Sequence, residues 1–241
     1  MIFYHGSYLG GATHIITPFF TGRNFLISME YPRFSEYVKN QSSGFILDNG
    51  AFTLWKKGFG DVDVYKYIDF VKSFDSCDNY DYSFIPDKID GTEKQNDDYI
   101  EKWLNLYGDF KSVPVWHYHE SFDRLRLLLT SFDMVALGSS GEYATINSVD
   151  WKNRTNKIFE VYRNMNCLTK LHGLRVLNPK IFTQYEYFSG DSSNLGRNNG
   201  SYMKRHGLKD RYEAMVLMAK NLEKYQSKYE NYKQNIINGK T

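Results

Sequence analysis

The sequence predicts an α/β chain whose parallel strands close into a (β/α)8, TIM-like barrel. Two observations carry this expectation. Eight apolar runs of strand length recur along the chain, mostly with helical segments between them, as in a parallel sheet. In addition, His5, Asp48, Asp87, His117, Gly138 and Asp191 all fall at or just after the C-terminal end of such a run. In a barrel those positions share one rim, and that rim holds the active site. A doubly wound open sheet is the competing arrangement, and the count of eight favours the barrel.

The strand runs are 2–5, 24–28, 44–48, 82–87, 113–117, 134–138, 171–177 and 185–189. A short helix is expected over 33–40. Residues 61–74 read as a helix because Val64, Tyr67, Ile68 and Val71 follow three/four spacing, with Asp61 placed to cap its start. Further helices are expected over 95–107, 121–130 and 150–163, and a short one after Pro179. The first two units look irregular, since 6–23 has no clear helix. From Leu208 to about Ile236 the chain reads as one long polar helix, with Tyr212, Met215, Leu222 and Tyr225 as its buried side. No internal repeat or linker stands out. One domain of residues 1–241 is expected, its barrel at about 1–207 and a C-terminal helical segment at about 208–236.

Composition narrows the class of protein. Apolar residues make up 41% of the 241 and charged residues 24%, which indicates a globular chain rather than a disordered one. A net charge of +2 is too small to identify a nucleic-acid partner. Cys77 and Cys167 are the two cysteines, too few for a disulfide framework or a four-cysteine zinc site. The chain begins without a charged-then-apolar leader and has no apolar run near ~20 residues, so a cytoplasmic protein is expected, in a host cell if phage-encoded.

Several stretches can carry chemistry. Asp48-Asn49-Gly50 has the composition of a turn. The apolar Phe45-Ile46-Leu47 before it and Ala51-Phe52 after it argue instead for a carboxylate in apolar surroundings, whose pKa would rise. Pro86-Asp87 can cap a helix or accept hydrogen bonds from the N–H edge of a guanine-like base. His117-Tyr118-His119 can present two imidazoles to a metal together with His5 or Asp191, or place one rim histidine against a substrate. The Gly138-Ser139-Ser140-Gly141 loop can offer amides to a phosphate or carbonyl oxygen, but it lacks the lysine of a P-loop. Arg197 and the run Lys204, Arg205, His206, Lys209 and Arg211 can meet phosphates or simply begin a solvated helix. Asp191-Ser192-Ser193 lies after the last strand run, with Gly190 before it and Gly196-Arg197 beyond.

Taken together, Phe45 to Phe52, Pro86-Asp87, Gly138 to Gly141, His172-Gly173-Leu174 and Asp191-Ser192-Ser193 with Arg197 resemble the tRNA-guanine transglycosylase superfamily. The likeness is to its DNA-acting branch, often found in phages, which inserts 7-deazaguanine bases. The resemblance implies a pentosyltransferase that swaps guanine for a 7-deazaguanine derivative in DNA, without a cofactor. It implies Asp191 as the nucleophile at C1′, Asp48 as the general acid/base at the purine, and Asp87 as a base-recognition carboxylate. It also implies Gly138 and Ser139 as backbone contacts to the base. His117, Phe52 and Arg197 complete the expected substrate contacts, and Trp55 and Trp116 are further candidates to stack on a flipped base. No metal is expected.

The chain departs from that pattern in three places. The family's zinc site of three Cys and one His is missing. The chain is short, so the family's regions that hold nucleic acid are expected to be reduced or replaced by a partner protein. Trp116-His117 stands where the tRNA enzymes have a base-binding Gln. A metal-dependent barrel hydrolase or nuclease using His5, His117 and His119, or a non-catalytic nucleic-acid-binding homologue, are the alternative functions.

Overall fold

A computed structural model of the chain describes residues 1–9 and 16–237, the side chains of 227–237 excepted. The strands are β1 (Ile2–Gly6), β2 (Asn24–Ser28), β3 (Gly44–Asp48), β4 (Tyr80–Phe84), β5 (Ser112–Val113), β6 (Val115–His117), β7 (Met134–Gly138), β8 (Lys170–Gly173) and β9 (Ser189–Ser192). The α-helices are α1 (Ser35–Gln41), α2 (Ala51–Lys57), α3 (Val64–Lys72), α4 (Glu93–Leu106), α5 (Phe122–Ser131), α6 (Val149–Met165), α7 (Pro179–Phe182), α8 (Asn194–His206) and α9 (Arg211–Ile237).

Every strand pairing is parallel, in the order β5-β4-β3-β2-β1-β9-β8-β7-β6. The seam lies between β5 and β6, which are neighbours in sequence separated by Pro114 alone. Proline has no N–H for a ladder, so the pairing pattern breaks there. The carbonyls still alternate sides. Those of Lys111 and Val113 accept from Ser83 and Ile85 on the β4 side, and that of Pro114 accepts from Ala136 on β7, each at 2.9 Å. One run of chain thus joins both edges, and the ring is an eight-stranded (β/α) barrel of the TIM type.

Alternation along the strands separates inside from outside. Tyr4, Ile46, Tyr82, Phe84, Val113, Val115 and Ala136 fill the barrel interior. Outward residues build two outer cores. One joins Phe25, Ile27, Phe45 and Leu47 to α1, α3, Trp103 of α4 and Met215 of α9. The other joins Trp116, Val135, Leu137 and Leu171 to α5 and α6.

Several local expectations need correction. Asp63, not Asp61, caps α3, accepting from the amides of Tyr65 at 3.1 Å and Lys66 at 3.2 Å; Asp61 pairs with Lys88 instead. The seventh strand ends at Gly173 rather than Leu177, and the eighth begins at Ser189 rather than Tyr185. Tyr185 and Tyr187 belong to the outer core against Phe159, an apolar pattern that imitates a strand. The long C-terminal helix expected over 208–236 is present as α9, and a second helix, α8, precedes it unannounced by the sequence. In α9, Met215 and Leu222 are buried as expected, while Tyr225 is exposed. Between β1 and β2, Ile16 is helical and the 3-10 turn Thr17–Phe19 follows it directly. No described helix is long and apolar enough to cross a membrane.

Candidate active site

The C-terminal rim opens on a cavity of about 170 Å³. Asp48, Asp87 and Asp191 line it, as do Phe52, His117, Gly138, Ser139 and Arg197. All eight residues expected at a substrate site therefore face one space. Two other rim candidates do not. His5 points outward between Phe19 and Phe25, where burial first and the charge of Arg23 second push its pKa down to about 3. Trp116 also points outward, into the core near α5, with its indole N–H on the Ser121 carbonyl. Trp55 is exposed beside Phe52 rather than lining the cavity.

Asp48 ends β3, level with Ser28 of β2. It is half-buried at the cavity wall, and dense protein around it is the main cause of a pKa raised to about 7. The charges of Asp191 and Asp87 push in the same direction, while the Ser28 hydroxyl and the Gly50 backbone oppose them. The expectation of a raised carboxyl in apolar surroundings is thus matched, with its two carboxylate neighbours as a further cause.

The turn signal after Asp48 has its own purpose. Asn49 is buried; its Nδ2 donates to the Ile85 carbonyl and to Asp87 Oδ1, both at 2.9 Å, and its Oδ1 accepts from the Ala51 amide at 2.8 Å. Gly50 follows with φ +80°, a conformation glycine adopts without strain, and α2 begins. Asn49 therefore fixes Asp87 in place while starting the helix that carries Phe52.

Asp87 is held from a second side. His117 Nε2 lies 2.9 Å from Asp87 Oδ2, close enough for an ion pair but without hydrogen-bond alignment. The His117 backbone N–H donates to Glu120 at 2.8 Å, and Glu120 is paired with Arg124 at 2.6 Å and with Asn96 at 2.8 Å, all buried. Gly138 faces the His117 ring: a Cβ there would lie 3.0 Å from His117 Nδ1 and 3.2 Å from Val115 Cγ1. Its glycine is explained by that approach. The carbonyls of Gly138 and Ser139 accept from the Tyr118 amide and from Arg175. His119 turns to Ser140 at 2.7 Å and the Gly91 carbonyl at 3.0 Å. No cluster of three or more metal-capable side chains occurs among the described residues.

Asp191 lies inside β9 rather than beyond a strand. Its Oδ1 accepts from the Arg175 amide at 3.0 Å and lies 3.3 Å from His172 Nε2. Its Oδ2 makes no hydrogen bond among the described residues. His172 is fully buried in the barrel, and its Nδ1 meets the Tyr82 hydroxyl at 2.8 Å and Ser189 Oγ at 2.9 Å. The two hydroxyls also meet each other at 3.0 Å; with one of them donating to Nδ1, Nε2 carries the proton toward Asp191. Arg175 has φ +62°, a strained value for a non-glycine residue, and this directs its amide at Asp191. Its guanidinium sits 4.6 Å over the Phe52 ring and donates to the Ser139 carbonyl at 2.9 Å. Burial lowers its pKa, with Asp191 opposing and Arg197 adding to the shift.

Sequence reasoning misses Arg175 as a site residue because the apolar run 171–177 covers it, whereas the strand ends at Gly173. His172 was noticed in its stretch but not as the partner of Asp191. The basic run Lys204, Arg205 and His206 forms the last turn of α8, about 10–14 Å from Arg197 at about 1.5 Å per residue, where cations suit the helix dipole.

No family model and no curated protein matches the chain. Among solved structures, it is similar to a mutant tryptophan synthase alpha-subunit from the hyperthermophile Pyrococcus furiosus, at 13% identity and a TM-score of 0.49, over 94% of this chain and 97% of that one. A likeness this slight bears on neither substrate nor reaction.

Proposed function

We propose that this protein is a base-exchange transglycosylase, a pentosyltransferase that replaces guanine in DNA with a 7-deazaguanine derivative. The observation that supports the reading best is the convergence of three carboxylates on one cavity in three different settings. Asp191 has one oxygen held and one free, Asp48 is raised to about 7, and Asp87 is clamped by Asn49 and His117. Pairs of carboxyls whose environments differ are suited to divide nucleophile from acid/base.

In this reading Asp191 Oδ2 attacks C1′ of the sugar as the C1′–N9 bond breaks and its electron pair leaves with guanine. Protonated Asp48 gives its proton to the departing purine. The incoming base then gives its N9 proton to the Asp48 carboxylate. Its N9 attacks C1′, the ester to Asp191 breaks, and both groups return to their starting states. Asp87, fixed by Asn49, accepts from the N–H edge of the base. Phe52 offers a ring face, and Arg197 at the mouth can meet a phosphate.

Isotope-labelled guanine or 7-deazaguanine supplied with DNA tests the reading. Exchange predicts label in the nucleosides recovered from the DNA by mass spectrometry. Free base released with no label incorporated would make the protein a hydrolase, and neither outcome would leave a binding protein.

A further inference from the structure

The mouth of the cavity has one unusual lip. Tyr8, from the loop after β1, packs against Tyr31 after β2 with ring centroids 4.7 Å apart. Lys57 at the end of α2 places its Nζ 5.2 Å from the Tyr31 ring and 5.7 Å from the Phe59 ring. Tyr8 and Phe59 remain 55% and 71% exposed. Both tyrosines also line the cavity itself, so the lip is continuous with the site. Tyr8 is fixed by α8: a Cβ on Gly196 would fall 2.0 Å from the Tyr8 carbonyl oxygen, an approach only glycine permits. One residue further along α8, Arg197 stands exposed at the same mouth.

Aromatic rings left in water beside a cavity, interleaved with cations, match the needs of an unpaired nucleic-acid strand. Exposed bases stack on aromatic faces regardless of sequence, and phosphates seek the cations between them. A duplex keeps its base faces covered and cannot use such a surface. We propose that this lip binds the unpaired nucleotides flanking the target base in single-stranded DNA, with bases stacked on Tyr8, Tyr31 and Phe59 and phosphates met by Lys57 and Arg197. The proposal rests on reading the cavity as a DNA-base site and adds the state of the strand it accepts.

The test is equilibrium binding of a fluorescent single-stranded DNA of about a dozen nucleotides with one central guanine, against the same sequence as a duplex. Tyr8→Ala and Phe59→Ala should each weaken single-strand binding by about ten-fold. Tyr8→Phe should keep it, and Lys57→Ala should reduce the salt slope by about 0.7. Circular dichroism checks that each variant is folded. Duplex bound as tightly as single strand, or alanine variants with unchanged affinity, would overturn the proposal. Asp191→Ala should retain single-strand binding, which separates the two claims. Lip-dependent binding without label exchange removes the chemistry alone, and exchange with lip-independent binding removes the lip alone.

Discussion

Asp48 and Asp191 face each other's charge across one cavity: Asp48 is raised to about 7 by burial first, and then by the carboxylates of Asp191 and Asp87. The coupling gives the account its most local test. Asp191→Asn removes one of the raising charges, so Asp48 should titrate lower in that variant, as read by carbon NMR of the carboxyl. An unchanged Asp48 titration would mean the two side chains do not share a field.

The same group predicts how stability varies with pH. Its folded pKa lies above the ordinary value of about 3.9 for an unfolded Asp, so the folded state binds the extra proton. Its contribution is intact below about pH 4 and is lost as pH rises through about 7. Asp48→Asn should therefore stabilise the fold at pH 8 by on the order of 2–4 kcal/mol, less so because the carboxyl opens on the cavity, and change little at pH 4. Denaturant melts at the two pH values measure this, and equal effects at both would count against it. Exchange activity should fall in the same variant with substrate affinity nearly kept, because the proton for the purine is missing.

His172 is expected to act through Asp191. His172→Phe removes the contact to Oδ1 and leaves the Tyr82 and Ser189 hydroxyls only each other, 3.0 Å apart, at a cost of about 1 kcal/mol. Turnover should drop by about ten-fold or more with KM little changed, since an unpositioned nucleophile binds no worse but attacks less often. Tyr82→Phe should be milder because Ser189 still reaches Nδ1. A His172→Phe enzyme with full kcat would show that the Arg175 amide alone positions Asp191.

Glu120 holds the chain turn that carries His117. Glu120→Ala leaves the buried Arg124 with Asp97 as its remaining carboxylate and takes the acceptor from the His117 amide and Asn96, so it should destabilise by about 3 kcal/mol in urea melts. It should also weaken substrate binding, because His117 and, through it, Asp87 lose their support. A stable variant would mean Asp97, which also accepts from Arg124 at 2.8 Å, is a sufficient partner.

Gly138→Ala tests why that loop has a glycine. The new methyl would press on His117 Nδ1 and Val115. KM should rise more than kcat falls, and a compensating Val115→Ala should restore part of the loss. No kinetic effect would show that the ring moves aside freely.

The site was legible from sequence because a barrel converts strand-end position into spatial convergence. Asp48, His117 and Gly138 are the last residues of β3, β6 and β7, so their positions followed once the strand periods were read correctly. Illegible features depended on direction rather than position. His5 lies one residue out of phase with Tyr4 and so faces the outer core. Arg175 takes a left-handed turn that an apolar run concealed. The helix α8 was missed because Asn194, Gly196, Asn198, Asn199 and Gly200 have low helix propensity; buried Leu195 and the Gly196 contact with Tyr8 override it. The closing seam at Pro114 was hidden inside a run that reads as one strand, which in the ring it is.

The central claim is that Asp191 bonds to the sugar. Denaturing electrophoresis and peptide mass mapping after incubation with guanine-containing single-stranded DNA test it directly. The account predicts an adduct on Asp191 that disappears on adding free base and never forms in Asp191→Ala. Label exchange persisting in Asp191→Ala, or an adduct mapped to another residue, would contradict it.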